Sequence, residues 1–254
     1  MLSFSVECLR FEFTAGRDFR LQPGNETNCF RGSLGAALRR SCSPECINLR
    51  SCLSRHGCAY RRWFDPQWLE GPSGYRNAPR PFLLRWAGAT RPGRLAVDLV
   101  LFRTELNSEI EHALQEAITC RAGEQVESRP ATRLSLPINL SDSGNPVVHR
   151  LRLVFATPTE LKSGDRVLSR PEFLPLIKSA SERIWALGRL NQGWPAESPF
   201  HNWFEEAREV LLRDWSWQRS EALRRSARSG TQHSIGGFSG WAEYTGPLSR
   251  FGAD

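Results

Sequence analysis

Apolar and polar positions along the chain follow two distinct periods, and the switches between them outline its elements. From Leu2 to Phe13 the pattern is extended, with Phe4 and Val6 on one face and Leu9, Phe11 and Phe13 on the other. A strand that changes phase in this way carries a bulge or is buried on both faces. Pro23, Gly24 and Asn25 supply a turn. A helix then begins near Asn28, because Phe30, Leu34, Ala37 and Leu38 fall at i, i+4, i+7 and i+8. Residues 41–80, rich in Cys, Pro, Gly and Arg, show neither period and read as irregular.

Phe82, Leu84 and Trp86 alternate, as do Leu95, Val97, Leu99 and Leu101, and Arg91-Pro92-Gly93 between them predicts a turn. A helix over about 107–118 places Ile110, Leu114 and Ile118 on one face and Glu109, Glu111 and Glu116 toward solvent. Leu134, Leu136, Ile138 and Leu140 alternate again. The order β-α-loop-β-β-α-β is the split βαβ of a ferredoxin-like lobe.

The polar, turn-rich break Ser141–Pro146 predicts a boundary between a lobe at 1–141, with its Cys/Arg-rich insertion at about 41–80, and a second lobe at 147–254. In the second lobe Leu151, Leu153 and Phe155 face one way, and Arg150, Arg152 and Val154 the other. A long helix is expected from Pro171, the favoured first helical position, with Phe173, Leu176, Ile177, Ala180, Ile184 and Leu187 inward. Ser198-Pro199 starts another, with Phe200, Trp203, Phe204, Ala207 and Leu211 inward and Glu209 paired to Arg213. From Trp215 to Tyr244 the pattern suits two strands joined by an Arg-rich and then a Gly-rich connection. The fold class is α+β, two ferredoxin-like (RRM-like) lobes in tandem.

Charge sharpens this picture. Of 34 basic residues only Lys162 and Lys178 are lysines, and the net charge is +7. Arginine forks onto phosphates and stacks on bases, so an arginine-driven excess favours a nucleic-acid partner. A GC-rich genome also replaces Lys by Arg, but it does not explain the excess over acids. Gly32 and Gly35 each cost stability inside a helix, which close approach to a sheet or an RNA backbone would offset. No apolar run is long enough to span a bilayer, and the first residues lack the pattern of a signal peptide, so a cytoplasmic protein is expected. Seven cysteines, an odd number, argue against a secreted disulfide framework.

The stretch from Arg224 to Gly246 joins Arg224, Arg225 and Arg228 to Gln232, His233, Gly236 and Gly237. Glycines admit backbone N–H groups to phosphate oxygens, and nearby arginines neutralise the charge. A Gly-rich hairpin with a solvated charge run is the alternative. Trp241, Phe238 and Tyr244 offer stacking faces, although burial in the sheet suits at least two of them better.

Three places resemble one family. They are Phe30-Arg31-Gly32-Ser33-Leu34-Gly35 followed by spaced cysteines to Cys58-Ala59-Tyr60 and Trp63-Phe64; Leu153-Val154-Phe155-Ala156-Thr157-Pro158; and the Arg-Ser stretch leading into Gly236-Gly237-Phe238-Ser239-Gly240-Trp241. Together the chain resembles the CRISPR-associated repeat-RNA processing endoribonucleases of the repeat-associated mysterious protein (RAMP) superfamily. The further Gly-rich loop usual in that family does not follow Phe251, which suits a shortened branch such as that of the type IV systems.

The resemblance implies cofactor-free, metal-independent cleavage of a CRISPR repeat hairpin, by 2′-OH attack that leaves a 2′,3′-cyclic phosphate. It also implies retention of the product and assembly with other subunits of a CRISPR ribonucleoprotein. Such a site needs a base, donors for the phosphorane charge and an acid. Among the histidines, His112 and His201 suit surface or cap positions and His149 lies on a strand. His56 stands beside Arg55, Tyr60, Arg61 and Arg62 and is the first choice for the base, with His233 second. An arginine-based site using Arg31, Arg39 or Arg40 is the rival, and Arg40, Arg61, Arg62 and Arg250 join Arg224, Arg225, Arg228, Gln232, His233, Gly236 and Gly237 as the expected RNA-binding residues. Cys42, Cys46, Cys52 and Cys58 are spaced x3, x5, x5, and only the first pair has the tight spacing of a structural zinc site. A non-catalytic RNA-binding subunit and a zinc-containing nucleic-acid-binding regulator are the alternative functions.

Overall fold

The computed structural model describes residues 4–16, 19–21, 25–42, 58–66, 78–103, 107–122, 126–129, 133–136, 147–225 and 232–251. They fall into two compact units, one from residues 2–138 with 186–193, the other from 139–185 with 194–254.

The first unit is a sheet with two helices. Its strands are β1 (Phe4–Thr14), β2 (Phe82–Arg91), β3 (Arg94–Leu101), β4 (Val126–Arg129) and β5 (Arg133–Leu136). The helices α1 (Glu26–Arg40) and α2 (Asn107–Ala122) lie between β1 and β2 and between β3 and β4. The sheet order is β2-β3-β1-β4, every pair antiparallel, with β5 continuing beside β1 where β4 leaves off. Leu9, Phe11 and Phe13 of β1, Val97, Leu99 and Leu101 of β3, and Leu84 of β2 present one face. Phe30, Leu34 and Leu38 of α1 and Ile110, Leu114 and Ile118 of α2 bury against it. These are the periodic positions read from the sequence. Along β3 the register of β1 is constant, and its change of phase accompanies burial on both faces: Phe4 is buried and packs on Phe102 with ring centroids 5.7 Å apart.

Three features of this unit correct the sequence reading. β4 was not anticipated, and α2 continues to Ala122. The stretch expected to be irregular contains a π-helical turn, Tyr60–Phe64, closed by the Asp65 N–H on the Tyr60 carbonyl at 3.0 Å. That turn drives Trp63 and Phe64 into the core. Phe64 lies so close to α1 that a Cβ at Gly35 would stand 2.6 Å from its Cζ, whereas a Cβ at Gly32 would meet nothing within 4 Å. Gly35 is therefore required by an aromatic ring of its own unit.

The second unit has strands β6 (Arg150–Thr159), β9 (Leu211–Arg225) and β10 (Gln232–Thr245) in the antiparallel order β6-β10-β9. A short hairpin of β7 (Lys162–Ser163) and β8 (Arg166–Val167) and two helices, α3 (Phe173–Asn191), whose residues from Ala186 on are grouped with the first unit, and α4 (His201–Glu209), lie between β6 and β9. Phe173, Ala207, Val210, Ala242, Tyr244 and Leu248 form the core. The long helix starts at Phe173 rather than Pro171: Pro175 has no N–H for the Pro171 carbonyl, which instead accepts from the buried Tyr244 hydroxyl at 2.7 Å. Ala180 is exposed and Ser181 takes the buried position, its hydroxyl satisfied by the Ile177 carbonyl at 2.7 Å. Leu211 and Arg213, expected at the end of the second helix, begin β9 instead. Leu211 is exposed, and Arg213 donates to Thr245 rather than pairing with Glu209.

Candidate functional site

The expected reaction site centres on the C-terminal half of α1 and the π-helical turn. Arg39, in the last turn of α1, places its guanidinium 5.9 Å from the centroid of the Tyr60 ring. Tyr60 in turn stacks on Phe64 at 5.3 Å, and Arg31, in the first half of the same helix, lies 5.9 Å from the Phe64 ring. Two arginines of one helix thus approach the aromatic pair, and Arg80 comes to 5.0 Å from the Phe64 ring as well. Arg39, Arg31 and Tyr60 are each half-buried, which weakens solvent competition for anything they bind. His56 lies outside the described residues.

The remaining arginines here hold carboxylates of the same unit. Arg40 donates twice to Glu116, at 2.7 and 3.0 Å; Arg61 pairs with Asp65 at 2.6 Å; Arg62 grips both oxygens of Glu109, at 2.5 and 2.7 Å. Arg250, in the second unit, pairs with Glu206 at 2.7 Å. Cys42 and Cys58 bring their Sγ atoms to 3.1 Å, a thiol–thiol contact between the end of α1 and the entry to the turn. Cys46 and Cys52 lie outside the described residues, and among the described residues no group of three or more His, Cys, Asp or Glu side chains is placed to hold a metal ion.

The Arg/Gly-rich stretch forms a long two-stranded ribbon. β9 and β10 pair continuously from Leu211↔Thr245 to Arg225↔Gln232, apart from one register shift, while β6 accompanies β10 only as far as Phe238. Beyond Phe238, among the described residues, β9 and β10 pair only with each other, with His233 opposite Arg224 and Gln232 opposite Arg225. Arg228 lies outside the described residues. The glycines are spent largely on the sheet. A Cβ at Gly237 would meet the Thr159 backbone nitrogen at 2.9 Å, and Gly240, at φ +144°, would drive one to 2.0 Å from the Ser216 carbonyl. Gly236 stands opposite Glu221 in the ribbon.

Sequence reasoning missed a further arrangement on the open sheet faces. In the first unit Asp98 of β3, 1% exposed, is held by Arg10 of β1 at 2.7 Å and by Arg85 of β2 at 2.6 Å, its register partners on either side. Burial pushes the Asp98 carboxyl up, but hydrogen bonds from Arg10 and Arg85, with their charges, outweigh it and leave it below its usual value. In the second unit Glu243 of β10 binds Arg150 at 2.5 Å and lies 3.7 Å from Arg152, both on β6. Arg152 rests 4.0 Å over the Trp241 ring. The alternation of Arg150, Arg152 and Val154 in the sequence was the available signal; the carboxylate that anchors them was not visible there. Of the three aromatics named for stacking, Phe238 and Tyr244 are buried and Trp241 is on the open face, half-buried.

The fold has solved relatives. Over 98% of this chain and 91% of the other, it is similar to a Cas6 (TTHB231) product complex, at 18% identity and a TM-score of 0.53. A mutant of Cas6 (TTHA0078) matches over 96% and 84% of the two chains at 18% identity and a TM-score of 0.46. Csf5, a CRISPR-Cas type IV Cas6 crRNA endonuclease, matches over 96% and 90% at 13% identity and a TM-score of 0.38. The last two, below one half, add no weight to the fold assignment. No curated protein matches the chain by sequence. The chain has a Cas6-like, mixed helix-and-strand fold with antiparallel sheets. Residues 4–135 match the protein family AF_1859_N, described as an N-terminal domain, and because that match covers more than half of the chain, the chain belongs to this family.

Proposed function

We propose that the chain binds a CRISPR repeat hairpin and cuts it without a metal ion, leaving a 2′,3′-cyclic phosphate, and keeps the product as part of a larger ribonucleoprotein in the cytoplasm. The observation that carries this reading is the fold likeness to a Cas6 product complex across nearly the whole chain. Two ferredoxin-like lobes, 1–141 and 147–254, underlie it. The order β6-β10-β9 repeats β1-β3-β2, with helices in the equivalent connection, which supports reading the second lobe as a partial copy of the first. Among the described residues no helix is long and apolar enough to cross a membrane.

In this reading Arg39 and Arg31 stabilise the charge that builds on the phosphorane, and Tyr60 orients the ribose or donates a proton. His56, four residues before Tyr60 in the sequence, takes the 2′-OH proton. Arg40, Arg61 and Arg62 of the first unit, and Arg250 and the Arg224–Gly237 ribbon of the second, grip other parts of the RNA. Incubating the chain with a repeat hairpin in EDTA tests the proposal. Cleavage to a cyclic-phosphate end that a 2′-deoxy substitution at the cut abolishes is the expected result, and cleavage that survives the substitution overturns the mechanism.

A non-catalytic RNA-binding subunit is the second reading. It is favoured by the pairing of Arg40, Arg61 and Arg62 with carboxylates of their own unit, which leaves fewer cations for transition-state charge. Tight hairpin binding with no product in the same assay selects it.

A further inference from the structure

The open face of the β6-β10-β9 sheet carries a group of residues that the core does not need. Trp241 of β10 stands directly opposite Val154 of β6, and Glu243 opposite Arg152. Val154 is 71% exposed, although the same strand buries Leu151, Leu153 and Phe155 toward the core. Isolated exposed valines are common and need no explanation. Here, however, the valine adjoins an indole on which a guanidinium is already stacked, Arg152 at 4.0 Å from the ring centroid. Arg152 leaves 54% of its side chain in solvent and Arg150 leaves 71%, while the Glu243 carboxylate that holds them is only 14% exposed. Glu243 is covered, and on the β6 side of the face what points outward is the positive charge of Arg150 and Arg152 beside a flat apolar pair, while the exposed Asp214 of β9 stands across Glu243 on the other side.

That combination fits a nucleobase with its phosphate. Bases stack on aromatic rings and on guanidinium planes, and a neighbouring arginine takes the phosphate charge. A protein partner would gain less, because the apolar area is one Trp–Val pair and the two arginines beside it would have to be desolvated. The first unit has the equivalent carboxylate-anchored arginines, Arg10 and Arg85 on Asp98, but the aromatic beside them in β2, Trp86, stacks on core residue Phe30 at 5.8 Å. The stacking surface therefore belongs to the second unit.

We infer that Trp241, Arg152 and Val154 form a stacking site for an unpaired base of the bound RNA, outside the hairpin stem, with Arg150 on the adjacent phosphate. The inference rests on the RNA-binding reading above. The test measures affinity of the 254-residue chain for a repeat hairpin alone and for the same hairpin with a single-stranded flank. Trp241→Ala is expected to weaken binding of the flanked RNA by about 5- to 160-fold, the range of one lost stacking contact, and to leave the bare hairpin unchanged. Trp241→Phe should retain most of the affinity. Val154→Glu, at an exposed position where folding is little affected, should reproduce the loss by placing a negative charge beside the base. A photo-crosslinkable uracil in the flank should join the peptide that contains Trp241. Equal loss for both RNAs in the two disruptive variants, or no loss in either, overturns the stacking site while leaving RNA binding intact. A wild-type chain that binds neither RNA overturns the functional reading itself.

Discussion

The carboxamide of Gln192 takes the place of a neighbouring strand beside Ser5: its Oε1 accepts the Ser5 N–H at 2.8 Å and its Nε2 donates to the Ser5 carbonyl at 2.8 Å. Pairing between β1 and β3 begins only at Glu7, so among the described residues no strand pairs with Ser5 on that side. The same amide also donates to the Phe102 carbonyl at 3.1 Å. A primary amide offers the donor and acceptor of a peptide group, which is why glutamine can continue the ladder. Replacing it with leucine is expected to cost about 1–3 kcal/mol, the range for leaving part-buried backbone groups unsatisfied. Urea denaturation measures this, and unchanged stability would show that water completes the ladder equally well.

Asp98 makes stability depend on pH with a defined sign. Its folded carboxyl lies below the ordinary value, so the folded state binds that proton less readily than the unfolded chain. The contribution is complete above the unfolded value of roughly 4 and is lost as pH falls through the lower folded value. Asp98→Asn is expected to destabilise the protein by about 1–2 kcal/mol at neutral pH, a figure discounted because Arg10 and Arg85 are 40% and 64% exposed. The gap between variant and wild type should narrow in acid. A gap of constant size across that range would assign Asp98 a packing role only.

The two glycines of α1 should respond in opposite directions. Gly35→Ala forces a methyl group to 2.6 Å from the Phe64 ring. Overpacking of this kind costs about 1–3 kcal/mol, more than the gain of up to about 1 kcal/mol from alanine's helix propensity. Gly32→Ala meets nothing within 4 Å and should stabilise by about 0.5–1 kcal/mol. Thermal melts compare them directly. A stabilised Gly35→Ala would mean that the Phe64 ring can shift.

Arg224 and Arg225 occupy successive positions in the ribbon, opposite His233 and Gln232. Successive positions of a strand alternate between its two faces. If one face meets RNA, Arg224→Ala and Arg225→Ala should differ, one lowering the salt slope of binding by about 0.7–0.9 for a lost phosphate contact and the other leaving it unchanged. Equal losses would indicate a ribbon enclosed by RNA on both faces, and no loss in either would remove the ribbon from the interface.

Much of the framework was legible before any coordinates. The periods of Leu9, Phe11 and Phe13, of Phe30, Leu34 and Leu38, and of Val97, Leu99 and Leu101 identified core positions correctly, since a strand or helix repeats its buried face at a fixed spacing. The fate of Phe238 and Tyr244 against Trp241 followed the same rule. Errors gathered where local pattern gives no signal. Trp63 enters the core through a π-helical turn that no regular period describes. Leu211 continues an apparent helical stripe yet begins a strand, because pairing with Thr245 outweighs its local preference.

The sequence by itself determined the α+β elements, most of the buried residues and the arginine-rich character of the surface, all of which depend on neighbours within a few positions along the chain. Only the tertiary structure decided what the polar groups do. Asp98 reads as an ordinary solvent-facing position of β3 until β1 and β2 set Arg10 and Arg85 against it from 88 and 13 residues away. Gln192, the Arg152–Trp241 stack and the covered Glu243 are of the same kind. Their partners are distant in sequence, and hydrogen bonds and ring contacts depend on where the strands pair, which no local period encodes.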